Sequence, residues 1–273
     1  MALSKKVKEI LSWYGSENVG VKTNLSRMLM HGTLAGSGKL VILPVDQGFE
    51  HGPDRSFAMN LDAYDPEYHF NLATSAQLSA YAAPLGMLSS AADKFAGSIP
   101  LILKLNSANS LDSKDTSPFS PITATIQEAL QLGCCAVGLT IYPRPNKFSQ
   151  QVAEVKEIIA RAKSYGLAVV IWAYPRGEGI SKEGQTAIDV CCYAAHIAAL
   201  LGGHIIKLKP PSNFIEKPEV LKIYQENNIA TSTLSQRVSH VMRSCFNGKR
   251  LVVFSGLATK SEDKLLQEIQ DIQ

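Results

Sequence analysis

Along most of the chain, short apolar runs alternate with longer stretches whose apolar residues recur at helical spacing. The runs predict strands at "LVILPVD" (40–46), more weakly at "LSAYAAP" (78–84), then at "PLILKLN" (100–106), "CAVGLTIYP" (135–143), "LAVVIWAYP" (167–175), "GHIIKLKPP" (203–211) and "RLVVFSG" (250–256). Segments such as "ITATIQEALQLG", "SQQVAEVKEIIARAKSYG" and "QTAIDVCCYAAHIAALLGG" predict helices between them, several closed by Gly, a common helix stop. Near-continuous apolar strands separated by amphipathic helices indicate a parallel sheet covered by helices. A closed barrel and an open doubly wound sheet both satisfy that pattern.

The strand ends separate the two. Residues two apart point to one face, so one face reads Leu40, Ile42, Pro44, Asp46; then Ile102, Lys104, Asn106; then Val170, Trp172, Tyr174; then Ile205, Lys207, Lys209; then Val253, Ser255. Each series begins apolar and ends polar or aromatic, as expected of a barrel with a packed lower layer and a reactive mouth at the carboxyl ends of its strands. The opposite face (Val41, Leu43, Val45; Leu101, Leu103, Leu105; Ile171, Ala173; Ile206, Leu208) is apolar throughout, so helices are expected to cover it. A doubly wound sheet would favour a GxGxxG turn after its first strand, where this chain has "DQGFEHGP". The expectation is an α/β fold, a (β/α)8 barrel over 39–273, preceded by a polar, partly helical lead-in at 1–38.

Composition agrees with one large core. The 273 residues are 45% apolar and 19% charged, with a net charge of +3 and no basic stripe, which gives nucleic acid nothing to hold. No apolar run reaches the roughly 18 residues of a membrane span, and "MALSKKVKEILSWYG" is not a signal peptide, so a cytoplasmic protein is expected. Five cysteines without CxxC spacing read as small core residues. The lead-in ends in "GTLAGSGKL", which fails as a phosphate loop. Gly32 and Gly38 are one residue too far apart, Leu40 replaces the Ser/Thr, and the segment precedes a strand. A flexible turn is expected there.

The chemistry turns on "GGHIIKLKPP". Two lysines aimed inward from one strand have a plain explanation, one pairing with a carboxylate and the other holding a substrate anion. Neighbouring ammonium groups also disfavour each other's charge, and desolvation adds to this, so one of them is expected to be neutral more often than an ordinary lysine. A neutral lysine attacks carbonyl carbon to give a Schiff base, whose protonated imine is an electron sink for C–C cleavage. Asp46 and Tyr174 could move the protons. Asp46 could equally be a structural acceptor for a lysine, Trp172 and Tyr174 could be packing residues, and Arg176 could form a loop salt bridge.

The segments "LPVDQGFEHGP", "SAYAAPLG", "LILKLNSANSL", "VVIWAYPRGEG", "GGHIIKLKPP" and "VVFSG" resemble, in order, the archaeal-type class I fructose-bisphosphate aldolases, particularly their bacterial members, over about residues 38–260. The D-x-G-x-E-H-G-P loop and the W-x-Y-P-R-G strand end are the most specific parts. The resemblance implies a (β/α)8 barrel, a Schiff-base lysine at Lys207, a catalytic Tyr174 with Trp172 beside it and an acid at Asp46. It implies phosphate binding after the last strands, at Ser255 and Gly256 with Lys260 nearby. Lys209, Lys104 and Arg176 are further candidates for contact with a phosphorylated sugar, and no cofactor is expected.

Two departures from that family concern phosphate. Leu257 follows "SG" where the family has a second glycine, and a Cβ there resists the positive φ that brings an N–H close to phosphate. The family's last strand, with its "GRN" loop, finds no counterpart before "LLQEIQDIQ". Seven strands rather than eight are therefore expected, with 40–46 and 250–256 flanking a gap in a C-terminally incomplete barrel, and weak binding of phosphorylated substrate. Exposed sheet edges invite pairing with another chain or local disorder, so a homo-oligomer is expected. Alternatives are a sister aldolase or transaldol-type enzyme with the same lysine, and a non-catalytic sugar-phosphate-binding barrel. The six histidines lack metal-ligand spacing, so no metal site is expected, and His51 reads as a loop hydrogen-bonding residue.

Overall fold

The computed structural model describes residues 2–111, 120–143, 148–177, 179–255 and 261–272. Its strands are β1 (Ile42–Pro44), β2 (Ala80–Pro84), β3 (Leu101–Lys104), β4 (Ala136–Ile141), β5 (Ala168–Ala173), β6 (Ile205–Leu208) and β7 (Leu251–Phe254). Its helices include α1 (Lys5–Ser12), α2 (Val19–Leu29), α3 (Gln47–His51), α4 (Pro66–Ser75), α5 (Phe148–Ser164), α6 (Ile188–Leu200) and α7 (Leu234–Ser244). All seven predicted strands are present, the weak second one included, and they follow one another in the sheet in chain order, from β1 to β7. Among the described residues these two strands are thus the outermost, as the count of seven implied. Among the described residues, no helix is long and apolar enough to cross a membrane.

The chain forms two compact units, one of residues 1–140 and 153–170, the other of 141–152 and 171–273. In the first, β1, β2 and β3 pair in parallel, with Ile42 opposite Ala80 and Tyr81 opposite Leu101, and β3 pairs with β4 through Ile102 and Ala136. In the second, β6 and β7 are parallel, with Lys207 opposite Val253. Strands β3, β4 and β5 are buried at every position, as expected of parallel strands covered on both faces. By contrast β1 is half-buried throughout, and Val41, expected under a helix, is 47% exposed. An outermost strand lacks a neighbour on one side, and its cover is correspondingly thinner.

The lead-in is part of the first unit's core. Ser4 and Asn18 cap α1 and α2 by accepting from the Val7 and Val21 amides. The helices bury Val7, Ile10, Val21, Leu25 and Met28. Gly20 and Gly166 meet so closely that a Cβ on Gly20 would stand 2.8 Å from the Gly166 Cα. Around this contact Asn18 Nδ2 donates to Lys163 O (2.6 Å) and Asn24 Nδ2 to Gly166 O (2.8 Å), tying α2 to the end of α5. The "GTLAGSGKL" turn is glycine-rich for steric reasons. Gly32 has φ +74° and a Cβ there would meet Gln77 O at 2.0 Å, while Thr33 N donates to that same oxygen at 2.8 Å. The expected flexible turn is a pinned one.

Candidate functional site

In the first unit, Asp46 follows β1 and precedes α3, and Lys104 closes β3. Lys104 Nζ stands 3.4 Å from Asp46 Oδ2 and donates to Asn106 O at 2.8 Å. Asn106 in turn exchanges two bonds with Thr140 of β4, its Nδ2 donating to Thr140 O (2.9 Å) and its Oδ1 accepting from Thr140 N (2.6 Å). Lys104 is 3% exposed and Asp46 9%. Burial pulls the Lys104 ammonium below its ordinary value, and the negative charge of Asp46 works against that shift. The plain alternative raised for Asp46, an acceptor for a lysine, has its described partner in Lys104. His51 Nε2 lies 3.9 Å from Glu50 Oε1 within α3.

In the second unit, Lys207 Nζ sits 5.2 Å from the ring centroid of Trp172, so strand alternation correctly sends these two side chains to one face. Trp172 is buried (2% exposed), whereas Lys207 and Tyr174 are half-buried. The Arg176 guanidinium lies over the Tyr174 ring at 5.4 Å and over the Tyr142 ring at 5.9 Å. Tyr142 stands just past β4, held where its own N–H donates to Gln151 Oε1 (2.9 Å). Tyr142 was missed in the sequence, although the alternation Ala136, Gly138, Thr140, Tyr142 points to it.

Lys209 lies one residue beyond β6. It lines a cavity of about 10 Å³, room for about one water, together with Tyr174, Arg176, Gln185, Cys191 and Leu208. Gln185 does not figure in the sequence reading, and Cys191 figures only as a small core residue. Burial pushes the Cys191 thiol up to about 12, against the opposing charge of Lys209. Lys207 and Lys209 thus have different described neighbours, the Trp172 ring for one and the cavity beside Tyr174 and Arg176 for the other. Ser255 Oγ and N both donate to Leu208 O, at 3.2 and 2.8 Å, extending the β6–β7 pairing. Gly256, Leu257 and Lys260 lie outside the described residues. Among the described residues, no group of three or more His, Cys, Asp or Glu side chains could hold a metal ion.

Parallel strands in sequential order, with lysines at or just beyond their carboxyl ends, define an α/β protein of TIM-barrel type with seven strands among the described residues. It belongs to the DeoC/LacD family of aldolases, whose pattern matches residues 40–272. A probable class 1 fructose-bisphosphate aldolase of Chlamydia muridarum is 39% identical over 198 residues, 71% of this chain and 56% of that protein. The class 1 fructose-bisphosphate aldolase of Thermoproteus tenax is 39% identical over 175 residues, 64% of each chain. A Methanocaldococcus jannaschii protein named for both fructose-bisphosphate aldolase and 6-deoxy-5-ketofructose 1-phosphate synthase activities is 29% identical over 183 residues, 64% of this chain and 58% of its own. Among solved structures, the Schiff base forming fructose-1,6-bisphosphate aldolase superposes with a TM-score of 0.73 at 31% identity, over 91% of this chain and 86% of the other. The chain spans just over half, 56%, of the length of the Chlamydia relative.

Proposed function

We propose that this chain carries the Schiff-base machinery of a class I aldolase that reversibly cleaves fructose 1,6-bisphosphate to dihydroxyacetone phosphate and glyceraldehyde 3-phosphate. The observation that carries the reading is Lys207 at the end of β6 with its Nζ over the Trp172 ring, in a chain 31% identical to a Schiff base forming aldolase.

Neutral Lys207 Nζ adds to the substrate carbonyl carbon to give a carbinolamine, which takes up one proton and loses water to leave a protonated imine. The C3–C4 electron pair then flows into that cation, leaving an enamine on Lys207, while the C4 hydroxyl gives up its proton and becomes the aldehyde of the departing triose phosphate. Tyr174 relays that proton, its hydroxyl oxygen accepting it as its own proton passes to the enamine carbon. Protonation of the enamine carbon and hydrolysis of the imine by one water release dihydroxyacetone phosphate and regenerate Lys207. The flat, electron-rich Trp172 face stabilises cations on Lys207, the imine included. Arg176, Lys209 and Ser255 are the described candidates for holding the anionic substrate, and Gly256 and Lys260 complete the proposed set. For Asp46 we propose the proton transfers of imine formation alongside its contact with Lys104.

A second reading keeps the same lysine and changes the substrate to another phosphorylated carbonyl compound. The doubly named Methanocaldococcus relative favours it, since substrate choice resides in loops. The test of both is borohydride reduction in the presence of dihydroxyacetone phosphate, followed by peptide mapping and a cleavage assay. An adduct on Lys207 with cleavage of the bisphosphate supports the first reading. An adduct without cleavage of the bisphosphate supports the second, and no adduct in folded protein overturns both.

A further inference from the structure

In the second unit, the segments that follow β5 and β6 are stitched together, and Glu216 is bonded on both sides of the seam. Ser181 donates twice to the Glu216 carboxylate, from its N–H to Oε1 (2.8 Å) and from its hydroxyl to Oε2 (2.7 Å). The Ser181 hydroxyl also accepts from Gly184 N at 2.8 Å. The backbone of the same segment is held by Asp189 at the start of α6, whose two oxygens accept from Glu216 N and Lys217 N, each at 3.0 Å. Between these points Ser212 N donates to Thr186 O (2.7 Å) and Ile188 N to Phe214 O (3.0 Å). Gly184 fits under the carboxylate because it has no side chain: a Cβ there would stand 2.3 Å from Glu216 Oε2.

One segment begins at Tyr174 and Arg176 and the other at Lys209, two residues after Lys207. A carboxylate taking two donors from the far segment while its own amide is held by Asp189 fixes the distance between the two. We propose that Glu216 is a positioning residue: through Ser181 it locks the segment carrying Tyr174 and Arg176 to the one following Lys207, so that the proton-transferring phenol meets the imine in one geometry. Its effect falls on C–C cleavage, which needs both side chains at once, and spares imine formation, which needs Lys207. This rests on the aldolase reading above.

The carboxylate can be dislodged from either side. In Glu216→Ala it is gone. In Gly184→Ala it is present and displaced by the new methyl group. Each variant is expected to lower kcat for bisphosphate cleavage by about 10-fold or more, the scale of a sub-ångström misplacement of reacting groups. The borohydride-trapped adduct on Lys207 stays at the wild-type level. Because both changes remove one contact, the double variant is expected to be no slower than the slower single one. Glu216→Gln, whose amide oxygen still accepts from Ser181, recovers part of the rate.

Additive losses, wild-type kcat in both single variants, or adduct yield falling in step with cleavage would each overturn the proposal. If Glu216→Ala fails to fold while Glu216→Gln is fully active, the contact serves stability alone and the positioning role is wrong. Wild-type protein that traps no adduct overturns the aldolase reading, and this inference with it. Wild-type trapping and cleavage accompanied by additive variant losses overturn this inference alone.

Discussion

Lys207 Nζ stands 5.2 Å from the centre of the Trp172 ring, on the next strand in the sheet order. A cation over an indole face gains roughly 0.5–2 kcal/mol, more as water is excluded. With Lys207 entering as the neutral amine, the gain falls on the protonated imine. Replacing Trp172 with Leu is therefore expected to lower the equilibrium yield of trapped adduct by about 2- to 30-fold, and Trp172→Phe by less. Equal adduct in all three proteins, measured by mass spectrometry after reduction, would show the ring to be packing only.

Tyr174 is half-buried beneath the Arg176 guanidinium. Tyr174→Phe keeps the ring that Arg176 covers and removes only the hydroxyl. Cleavage is expected to slow by about 10²-fold or more, the usual scale for losing a placed acid or base, with imine trapping largely retained. Parallel loss of trapping and cleavage would make Tyr174 structural.

The Asp46–Lys104 pair makes a stability prediction. Removing one member of a buried pair strands the other, at a cost of about 3–5 kcal/mol. Asp46→Asn should therefore destabilise strongly in urea, and Asp46→Asn with Lys104→Met should cost less than the two single changes summed.

The same pair predicts a pH dependence. The folded-state value of Lys104 is held below its unfolded one by burial, so between the two the unfolded chain binds the extra proton and stability rises with pH. The rise falls in the window beneath the unfolded value of about 10.4. It should steepen in Asp46→Asn, where the opposing charge is gone, and vanish in Lys104→Met. An unchanged alkaline limb in Lys104→Met would contradict this assignment.

Glu216 acts in the same sense, at acid pH. Its bonds from Ser181 hold the carboxyl below the ordinary range, so its contribution is complete above the unfolded value of about 4.3 and is lost as pH falls through the folded one. Glu216→Gln cannot titrate, and its thermal midpoint should fall less steeply below that pH than the wild type's. Coincident acid limbs would count against it.

Much of the fold was legible because burial on both faces leaves a signature in the chain itself. Short apolar runs between helical stretches read as covered strands, and all seven appear, down to the weak "LSAYAAP" that pairs as β2. Strand periodicity alone placed Trp172 and Lys207 on one face. It ends with the strand, and there the sequence loses its hold. That Lys104 finds Asp46, that Lys209 shares a cavity with Cys191, that Gly32 presses on Gln77 and that Glu216 reaches Ser181 were all decided by the tertiary structure. Each of these contacts joins residues 18 to 58 positions apart, brought together by the return of the chain through loops and helices, and no local period encodes which donor will meet which acceptor after such a return.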